Sequence, residues 1–544
     1  ETFLFYGKIK LGNQNTFTVS AVADDSTTDA QIDAIYSSHD HPYDEPAQGI
    51  ARQRVDVGDD TTLNASLTSS RSNQSTIQVH GAFLDQTDFS FGDRLTINTQ
   101  MTGSGKMGDG TDSVASGMLV WTSQGTIGDD FRDTVTFSDG AVNRVQGVKV
   151  NGLDSESDLS QGTSLAIGKN SRVQLDLSRG TLEKGVMGYQ VVDGAALRLD
   201  NQAEVGVSLK DSQIAGEAEG MNVFGSASLE AGDNAAIRLQ MENSQVKEAY
   251  GLRVSSLGTL GLGKYASVAL QMENSPVDTV MGINVDRAKA TLGDHASLSI
   301  AADGNSAAPE GQGIWGINAS DAGTLEVGNG YRGDIKIAKN PVGVELVNAS
   351  EGSRITMGSD ARETLQVADS QGGVLGRDVI GQSTLTVGDR SHLTLQVYGE
   401  GNMSRRAVTG TAINGQSTVV LGNQGSQDLV LEGVAARVFA NQVRGQSTLT
   451  VGNGHTAILT VTGKDSAAST IAGDELAVAP AAGINLKTGS GYATIIRAEG
   501  NNGNVNGMYA VSGAKAQVGD GAVIDIQDRY TGKQQNAVLF GTYQ

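Results

Sequence analysis

Metal-binding residue types lie close together in one segment near the N-terminus. His39, Asp40 and His41 are followed by Tyr43, and residues 44 and 45 are also acidic. Imidazole nitrogens and carboxylate oxygens are common ligands of transition metals, so this His-x-His pair is a candidate metal site. A solvated acidic loop accounts for the same residues, and it is the interpretation we adopt. We therefore predict no metal and no cofactor, and keep His39, Asp40, His41 and Tyr43 as candidate loop contacts.

An integrin-type tripeptide occurs further along the chain, at Arg332, Gly333 and Asp334. It follows a turn that is wider than the corresponding turns elsewhere. In a chain with 72 glycines such a triplet arises readily by chance. We retain these three residues as a candidate adhesive contact.

The residues needed for covalent catalysis are scarce. The chain has no cysteine and only six histidines, and Gly-x-Ser-x-Gly does not occur. Its 61 acidic residues would allow a carboxylate pair of the kind that hydrolyses glycosidic bonds, but only 5% of the residues are aromatic platforms for sugars. We therefore predict a protein that is not an enzyme, with a glycan-degrading enzyme as the alternative.

A turn glycine recurs along the chain, usually followed by Asp or Asn, and most intervals are 30 to 36 residues. The glycines are Gly58, Gly92, Gly128, Gly168, Gly232, Gly263, Gly293, Gly328, Gly358, Gly388, Gly422, Gly452 and Gly519. The Asp/Asn column after them is a second candidate contact surface, since an outward row would offer hydrogen-bonding groups at every repeat. Its candidate residues are Asp233, Asp294, Asn329, Asp389, Asn423 and Asn453. Turns alone also explain them, because Asp and Asn tolerate left-handed conformations.

The elements between these turns are short strands. Gly-Gln-Ser-Thr-Leu-Thr-Val-Gly begins at Gly381 and Gly445, with a variant at Gly415. Each repeat reads as three strands whose apolar residues alternate with polar ones, so one face is buried. Such a repeat predicts an all-β, right-handed parallel β-helix of about sixteen rungs with protruding loops. We expect an N-terminal cap with a long loop insertion (1–57, the insertion covering 13–57) and a β-helix (58–544) with an insertion at 463–482.

Charge and composition limit the partners. The formal net charge is -22, which argues against nucleic acids and other polyanions. No apolar run reaches the length of a membrane-spanning helix, and no signal peptide is visible. The chain starts at Glu1, so we expect a leader that has been removed or a trimmed segment.

The Ser-Thr-Leu-Thr-Val-Gly-Asp/Asn units, together with Leu-Gln-Met-Glu-Asn-Ser at 239–244 and 270–275, resemble passenger domains of Gram-negative bacterial autotransporters. The resemblance covers about 50 to 540 and is nearest to adhesins of the self-associating and diffuse-adherence type. It implies a β-helix that is exposed on the outer membrane or secreted, with membrane attachment only through a C-terminal β-barrel that is missing here.

The resemblance also implies a function. We expect a non-catalytic surface adhesin that mediates cell-cell aggregation and biofilm formation or attachment to host cells. Its partners would be copies of itself on neighbouring cells, or host surface and matrix proteins or glycans. The alternatives are a tailspike-like or lyase-like glycan-degrading enzyme and a structural stalk.

Overall fold

The computed structural model describes residues 8–24, 26–38, 53–70, 75–107, 112–152, 162–303, 313–339, 343–369, 372–399, 407–433, 436–462, 470–477, 483–499, 503–511, 513–529 and 534–541. Within these ranges the regular structure is all β-strand. The chain divides into two compact units, Glu1–Gln271 (unit 1) and Met272–Gln544 (unit 2).

The described residues of unit 1 form 21 strands, the last of which runs across the division. They are β1 (Lys8–Leu11), β2 (Thr16–Ala23), β3 (Asp29–Ser37), β4 (Gln53–Val57), β5 (Thr62–Ser69), β6 (Thr76–Asp85), β7 (Thr87–Phe91), β8 (Thr96–Thr102), β9 (Val114–Trp121), β10 (Gln124–Ile127), β11 (Arg132–Asn151), β12 (Ser164–Ile167), β13 (Arg172–Val192), β14 (Ala196–Leu199), β15 (Glu204–Lys210), β16 (Gln213–Phe224), β17 (Ser228–Ala231), β18 (Ala236–Glu242), β19 (Gln245–Ser255), β20 (Thr259–Leu262) and β21 (Ser267–Glu273).

Unit 2 contains the remaining strands. They are β22 (Val277–Asp286), β23 (Lys289–Leu292), β24 (Ser297–Asp303), β25 (Gly313–Ser320), β26 (Thr324–Val327), β27 (Arg332–Ala338), β28 (Val344–Ala349), β29 (Arg354–Met357), β30 (Arg362–Ala368), β31 (Val374–Val379), β32 (Thr384–Val387), β33 (His392–Tyr398), β34 (Ala407–Ile413), β35 (Thr418–Leu421), β36 (Ser426–Glu432), β37 (Arg437–Val443), β38 (Thr448–Val451), β39 (Thr456–Thr462), β40 (Ile471–Leu476), β41 (Asn485–Thr488), β42 (Ala493–Glu499), β43 (Val505–Val511), β44 (Lys515–Gln517), β45 (Val523–Asp528) and β46 (Gln535–Gly541).

Three kinds of strand follow one another in each repeat, and each pairs in parallel with its counterpart in the next. In unit 1 the first strands stack in the order β1-β4-β7-β10-β12-β14-β17-β20. The second strands are β2-β5-β8-β11-β13-β15-β18, and the third are β3-β6-β9-β11-β13-β16-β19. The long strands β11 and β13 contain the second and third segments without a break. This stacking is a parallel β-helix, as the sequence predicts.

Unit 2 has the same three-strand arrangement. Its first strands are β23-β26-β29-β32-β35-β38-β41-β44. Its second strands run from β24 to β45, and its third strands from β22 to β46, each at intervals of three. Each unit therefore has eight first strands within the described ranges.

The apolar alternation of the repeat forms the core. Leu385 and Val387 of β32 face inward with 0% and 2% exposure, and Leu449 and Val451 of β38 have the same values. Burial of such a side chain contributes roughly 1.5–3 kcal/mol. The leucine and valine of the repeated motif are therefore core residues.

The rest of that motif forms a stacked turn. Gly381 and Gln382 have φ values of 67° and 64°, in the left-handed region, and the same holds at the other two copies. The following serines form a ladder between coils, because Ser417 Oγ accepts a hydrogen bond from the Ser383 amide at 3.2 Å. Ser447 Oγ accepts one from the Ser417 amide at 3.1 Å. Hydrogen bonds between the turns, as well as packing in the core, therefore hold successive coils in register.

Two predicted insertions are shorter than expected. Within the predicted insertion 13–57, β2 and β3 pair in register with β5 and β6. Residues 16–23 and 29–37 are therefore coil strands, because they satisfy their backbone hydrogen bonds on the next coil. Likewise β40 lies within 463–482 and pairs with β37 and β43. The expectation of one continuous loop is wrong at both places, and the role of 1–57 as a cap stays a prediction.

Candidate functional site

The Asp/Asn column forms a ladder between side chains and backbone. Asp59 Oδ1 accepts a hydrogen bond from the amide of Asp93, and Asp93 Oδ1 accepts one from the amide of Asp129, at 3.0 and 2.9 Å. The six candidate residues do the same. The pairs are Asp233 with Lys264 (2.7 Å), Asp294 with Asn329 (2.9 Å), Asn329 with Ser359 (2.9 Å), Asp389 with Asn423 (2.7 Å), Asn423 with Asn453 (2.9 Å) and Asn453 with Ser490 (2.8 Å).

This ladder explains the glycine that precedes it. A Cβ atom at Gly92 would lie 2.2 Å from Asp59 Oδ1, and one at Gly168 would lie 2.3 Å from Asp129 Oδ1. The side chain of one turn therefore occupies the space where the next turn would carry a Cβ. The left-handed residue is the one after the Asp/Asn, such as Asp60 (φ 56°) or Arg94 (φ 59°). A left-handed conformation therefore does not explain the Asp and Asn residues of the column, because it occurs at the residue that follows each of them.

The candidate tripeptide lies within a strand. Arg332, Gly333 and Asp334 begin β27 and pair in register with β24 and β30. Gly333 is buried, and Asp334 Oδ2 lies 3.5 Å from Lys336 Nζ of the same strand. The two charged side chains lie on the outer face of a hydrogen-bonded sheet. The loop candidates His39, Asp40, His41 and Tyr43 lie outside the described residues.

The outer face of the third strands, which we call the third-strand face, carries both aromatic and polar side chains. In unit 1 one register column on it contains Tyr36, Phe83, Leu119, Lys149, Gln190, Asn222 and Arg253. Aromatic rings occupy its N-terminal end. The ring centroids of Tyr36 and Phe83 are 5.2 Å apart and stacked, and Phe83 lies 5.7 Å from Trp121. Tyr36 and Trp121 are 51% and 37% exposed.

A cluster of carboxylates surrounds Arg253 at the other end of this column. Arg253 Nη1 donates to Glu217 Oε1 at 2.5 Å and to Glu219 Oε1 at 3.0 Å, and the guanidinium lies 4.7 Å from the Tyr250 ring centroid. Tyr250 donates to Glu248 Oε2 at 2.6 Å. Glu219 is fully buried, and this burial raises its pKa to about 7 in spite of the Arg253 charge.

Buried amide groups adjoin the cluster. Asn222 Nδ2 donates to Glu219 Oε2 at 2.5 Å, while Asn222 Oδ1 has no partner. Gln190 Oε1, in the neighbouring coil, has none either. Buried polar atoms are nearly always hydrogen-bonded. These two carbonyl oxygens are exceptions, because each is a buried acceptor without a donor.

The third-strand face of unit 2 has a different composition. Asn318 donates to Asn284 Oδ1 at 2.7 Å, and Asn348 donates to Asn318 Oδ1 at 2.9 Å. Trp315 Nε1 donates to Glu345 Oε2 at 2.9 Å. Burial and the charge of Asp378 raise the pKa of Glu345 to about 7, and burial raises the pKa of Asp378 to about 6. Two carboxyl groups with raised pKa values therefore lie on one face with an aromatic ring.

An uncharged strip crosses three coils of unit 2 on the outer side of the first strands. Its glutamines are exposed and form a ladder, in which Gln382 Nε2 donates to Gln416 Oε1 at 3.3 Å and Gln416 Nε2 to Gln446 Oε1 at 3.1 Å. Its remaining members are the partly exposed outward residues of β32, β35 and β38. They are Thr384, Thr386, Thr418, Val420, Thr448 and Thr450. We call these nine residues the uncharged strip.

The strand pattern predicts where the residues of the third-strand face lie, but it does not identify them as a site. Asn222 and Arg253 were recognisable as outward residues of the third strands Gly-Met-Asn-Val and Gly-Leu-Arg-Val. The alternation cannot show that Glu219, also outward, is fully buried. The available signal was the amide and charged side chains that recur at this outward position of the third strands, such as Asn222, Arg253 and Asn284.

Comparisons with protein-family models, curated proteins and solved structures found no match. In the part of the chain that the structure describes, no helix is long and apolar enough to cross a membrane. The same residues contain no group of three or more His, Cys, Asp or Glu side chains arranged to hold a metal ion.

Proposed function

We propose that this chain is a non-catalytic bacterial surface adhesin, which acts by contact in cell-cell aggregation and biofilm formation or in attachment to host surfaces. The observation that carries this proposal is the uncharged strip of unit 2. It presents amide and hydroxyl groups at a fixed position on successive coils, as a repeated contact surface requires. In this proposal the chain acts at the outer face of a Gram-negative cell.

Charge explains why the strip is suited to contact between two copies. With a formal net charge of -22, two copies repel each other over most of their surfaces. The strip contains none of this charge, so two strips can approach with the least desolvation of ionised groups. Each amide or hydroxyl contact contributes little by itself, but contacts on many molecules between two cells act together. Salt should strengthen the association, because it screens the repulsion between the acidic surfaces.

The test introduces negative charge into the strip. A triple variant, Thr386→Glu, Val420→Glu and Thr450→Glu, is displayed on a non-aggregating bacterium, and settling is measured at low and moderate salt. Wild type should clump, more strongly at moderate salt, and the variant should not.

A matched control has the same change of residue types on the second strands of unit 2. It replaces the partly exposed Thr364, Thr394 and Val430 with glutamate and should settle like wild type. Equal loss in both variants would assign the effect to total charge and remove the support for the strip. Absence of clumping and of host-surface binding in wild type would refute the adhesin itself.

A second candidate is a glycan-degrading enzyme, which the Trp315, Glu345 and Asp378 group favours. Glycosidases pair an acid of raised pKa with a second carboxylate, beside an aromatic ring that stacks on sugar. Release of reducing ends from a bacterial or plant polysaccharide, abolished by Glu345→Gln, would support it. No release from any tested glycan favours the adhesin.

A further inference from the structure

The cluster around Arg253 in unit 1 offers far more acceptors than donors. Glu217 and Arg253 have side-chain exposures of 30% and 26%, so both are reachable from solvent, and Glu248 is also partly exposed. Glu217 and Glu219 share the Arg253 guanidinium, and Glu248, the register neighbour of Glu217, accepts a hydrogen bond from Tyr250. A ligand that satisfies this surface must donate hydrogen bonds, and a positive charge on it would offset the excess of carboxylates.

Two buried amides extend this acceptor surface. Asn222 is 7% exposed and Gln190 is 9% exposed, and each has a carbonyl oxygen without a donor. Asn222 is fixed against Glu219 by its own Nδ2, so its free oxygen belongs to the same cluster. An unpaired buried carbonyl is costly to the fold, and a ligand hydroxyl or ammonium removes this cost when it binds.

The same register column leads from this cluster to the aromatic rings. Tyr36 and Phe83 occupy the column that Gln190, Asn222 and Arg253 continue after Leu119 and Lys149, and Trp121 lies beside Phe83. Partly exposed aromatic rings bind the apolar faces of sugar rings, while amides and carboxylates bind hydroxyls and amines. Their presence on one face indicates an extended ligand with both kinds of group.

We propose that the third-strand face of unit 1 binds a glycan containing amino sugars with free amino groups, whose ammonium group lies against Glu217 and Glu248. Glu219 supports these residues by fixing Arg253 and Asn222. Gln190 and Asn222 accept hydrogen bonds from the sugar hydroxyls, and the rings at Tyr36 and Trp121 contact sugar units farther along the glycan. This site lies on third strands of unit 1, whereas the uncharged strip lies on first strands of unit 2, so the inference goes beyond the proposed function and does not depend on it.

The test uses isothermal titration calorimetry of the whole chain with sugar oligomers of defined length and acetylation. A glucosamine tetramer should bind, and its fully N-acetylated counterpart should bind at least about tenfold more weakly, because acetylation removes the charge. The double variant Glu217→Gln and Glu248→Gln should weaken the glucosamine tetramer by at least about tenfold. The control double variant, Glu230→Gln and Glu242→Gln, makes the same charge change on exposed residues of the first and second strands and should stay within about twofold of wild type.

Gln190→Leu and spermine separate a sugar site from a simple charge site. Gln190→Leu removes a buried unpaired oxygen without unfolding the coil, and should weaken the tetramer several-fold. Circular dichroism melting confirms that each variant is folded. Equal binding of the acetylated tetramer, or equal loss in the control variant, overturns the ammonium site. Spermine binding as tight as the tetramer, with no effect of Gln190→Leu, overturns the glycan assignment.

Discussion

A buried ion pair inside unit 2 gives the sharpest prediction about stability. Arg377 Nε donates to Glu363 Oε2 at 3.0 Å, and Nη2 contacts the same oxygen. The two residues are 2% and 1% exposed, so water does not screen either charge. Glu363 occupies an inward column in which its register neighbours are Gly333 and Leu393. The core thus contains a charged pair where the next coil has an aliphatic side chain.

Removing one partner should cost much more than removing both. Glu363→Leu continues the aliphatic column but leaves the Arg377 guanidinium buried without a carboxylate, which costs about 3–5 kcal/mol. The double variant Glu363→Leu and Arg377→Met removes the desolvation cost of both charges. Its stability should equal wild type or exceed it by about 1–4 kcal/mol. Arg377→Met alone should also cost about 3–5 kcal/mol, so the coupling between the two substitutions should be at least about 6 kcal/mol.

Tryptophan fluorescence can follow this effect in the correct unit. Trp315 lies in β25 of unit 2, so urea unfolding is recorded in a Trp121→Phe background. The reciprocal Trp315→Phe background reports unit 1 through Trp121 and shows whether the change is confined to unit 2. A Glu363→Leu variant within about 0.5 kcal/mol of wild type would refute the reasoning. So would a double variant that is as unstable as the single one.

Two further predictions concern unit 1. Asp133 is 1% exposed between Ile97 and Val173, neither of its carboxylate oxygens has a partner, and burial raises its pKa to about 8. Because the pKa of Asp133 is higher in the folded chain than in the unfolded chain, its protonation favours folding below pH 3.8. This contribution to stability is lost as pH rises from 3.8 to about 8. Asp133→Val should therefore raise the unfolding free energy by roughly 4 kcal/mol at pH 7 and by much less near pH 4, as measured by urea unfolding at both pH values. An equal gain at both pH values would contradict this reasoning. Gly92→Ala should lower the melting temperature, since its Cβ would lie 2.2 Å from Asp59 Oδ1. Gly261→Ala, whose nearest contact is at 3.9 Å, is the control, and equal destabilisation would contradict the ladder.

The fold was largely predictable because the signal repeats. Alternating side chains in the three strands of each coil gave strand type, inward face and phase, and the structure has them in that arrangement. Between Gly452 and Gly519 the turn position falls at Gly489, whose amide donates to the Val451 carbonyl of the preceding coil. The strands β2, β3 and β40 were missed, because they lie next to segments that break the period.

The candidate sites were less predictable for a physical reason. The Asp/Asn column was visible in the sequence, but its partner is the backbone of the next coil, about thirty residues away. Local sequence cannot show that Asp59 fills the space above Gly92. For the same reason the alternation can place Glu363 in line with Leu365 and Val367, but it cannot show that Arg377 of the third strand donates to it at 3.0 Å.

The sequence by itself determined the repeat, the strands and the core, since these depend on local alternation and on turn residues that recur in every coil. Only the tertiary structure decided which polar groups meet. Arg253 joins Glu217 and Glu219 from the neighbouring coil, and Asn222 and Gln190 are left with unpaired oxygens. These contacts depend on register between coils and on burial of an outward face, and neither quantity is encoded within a single repeat.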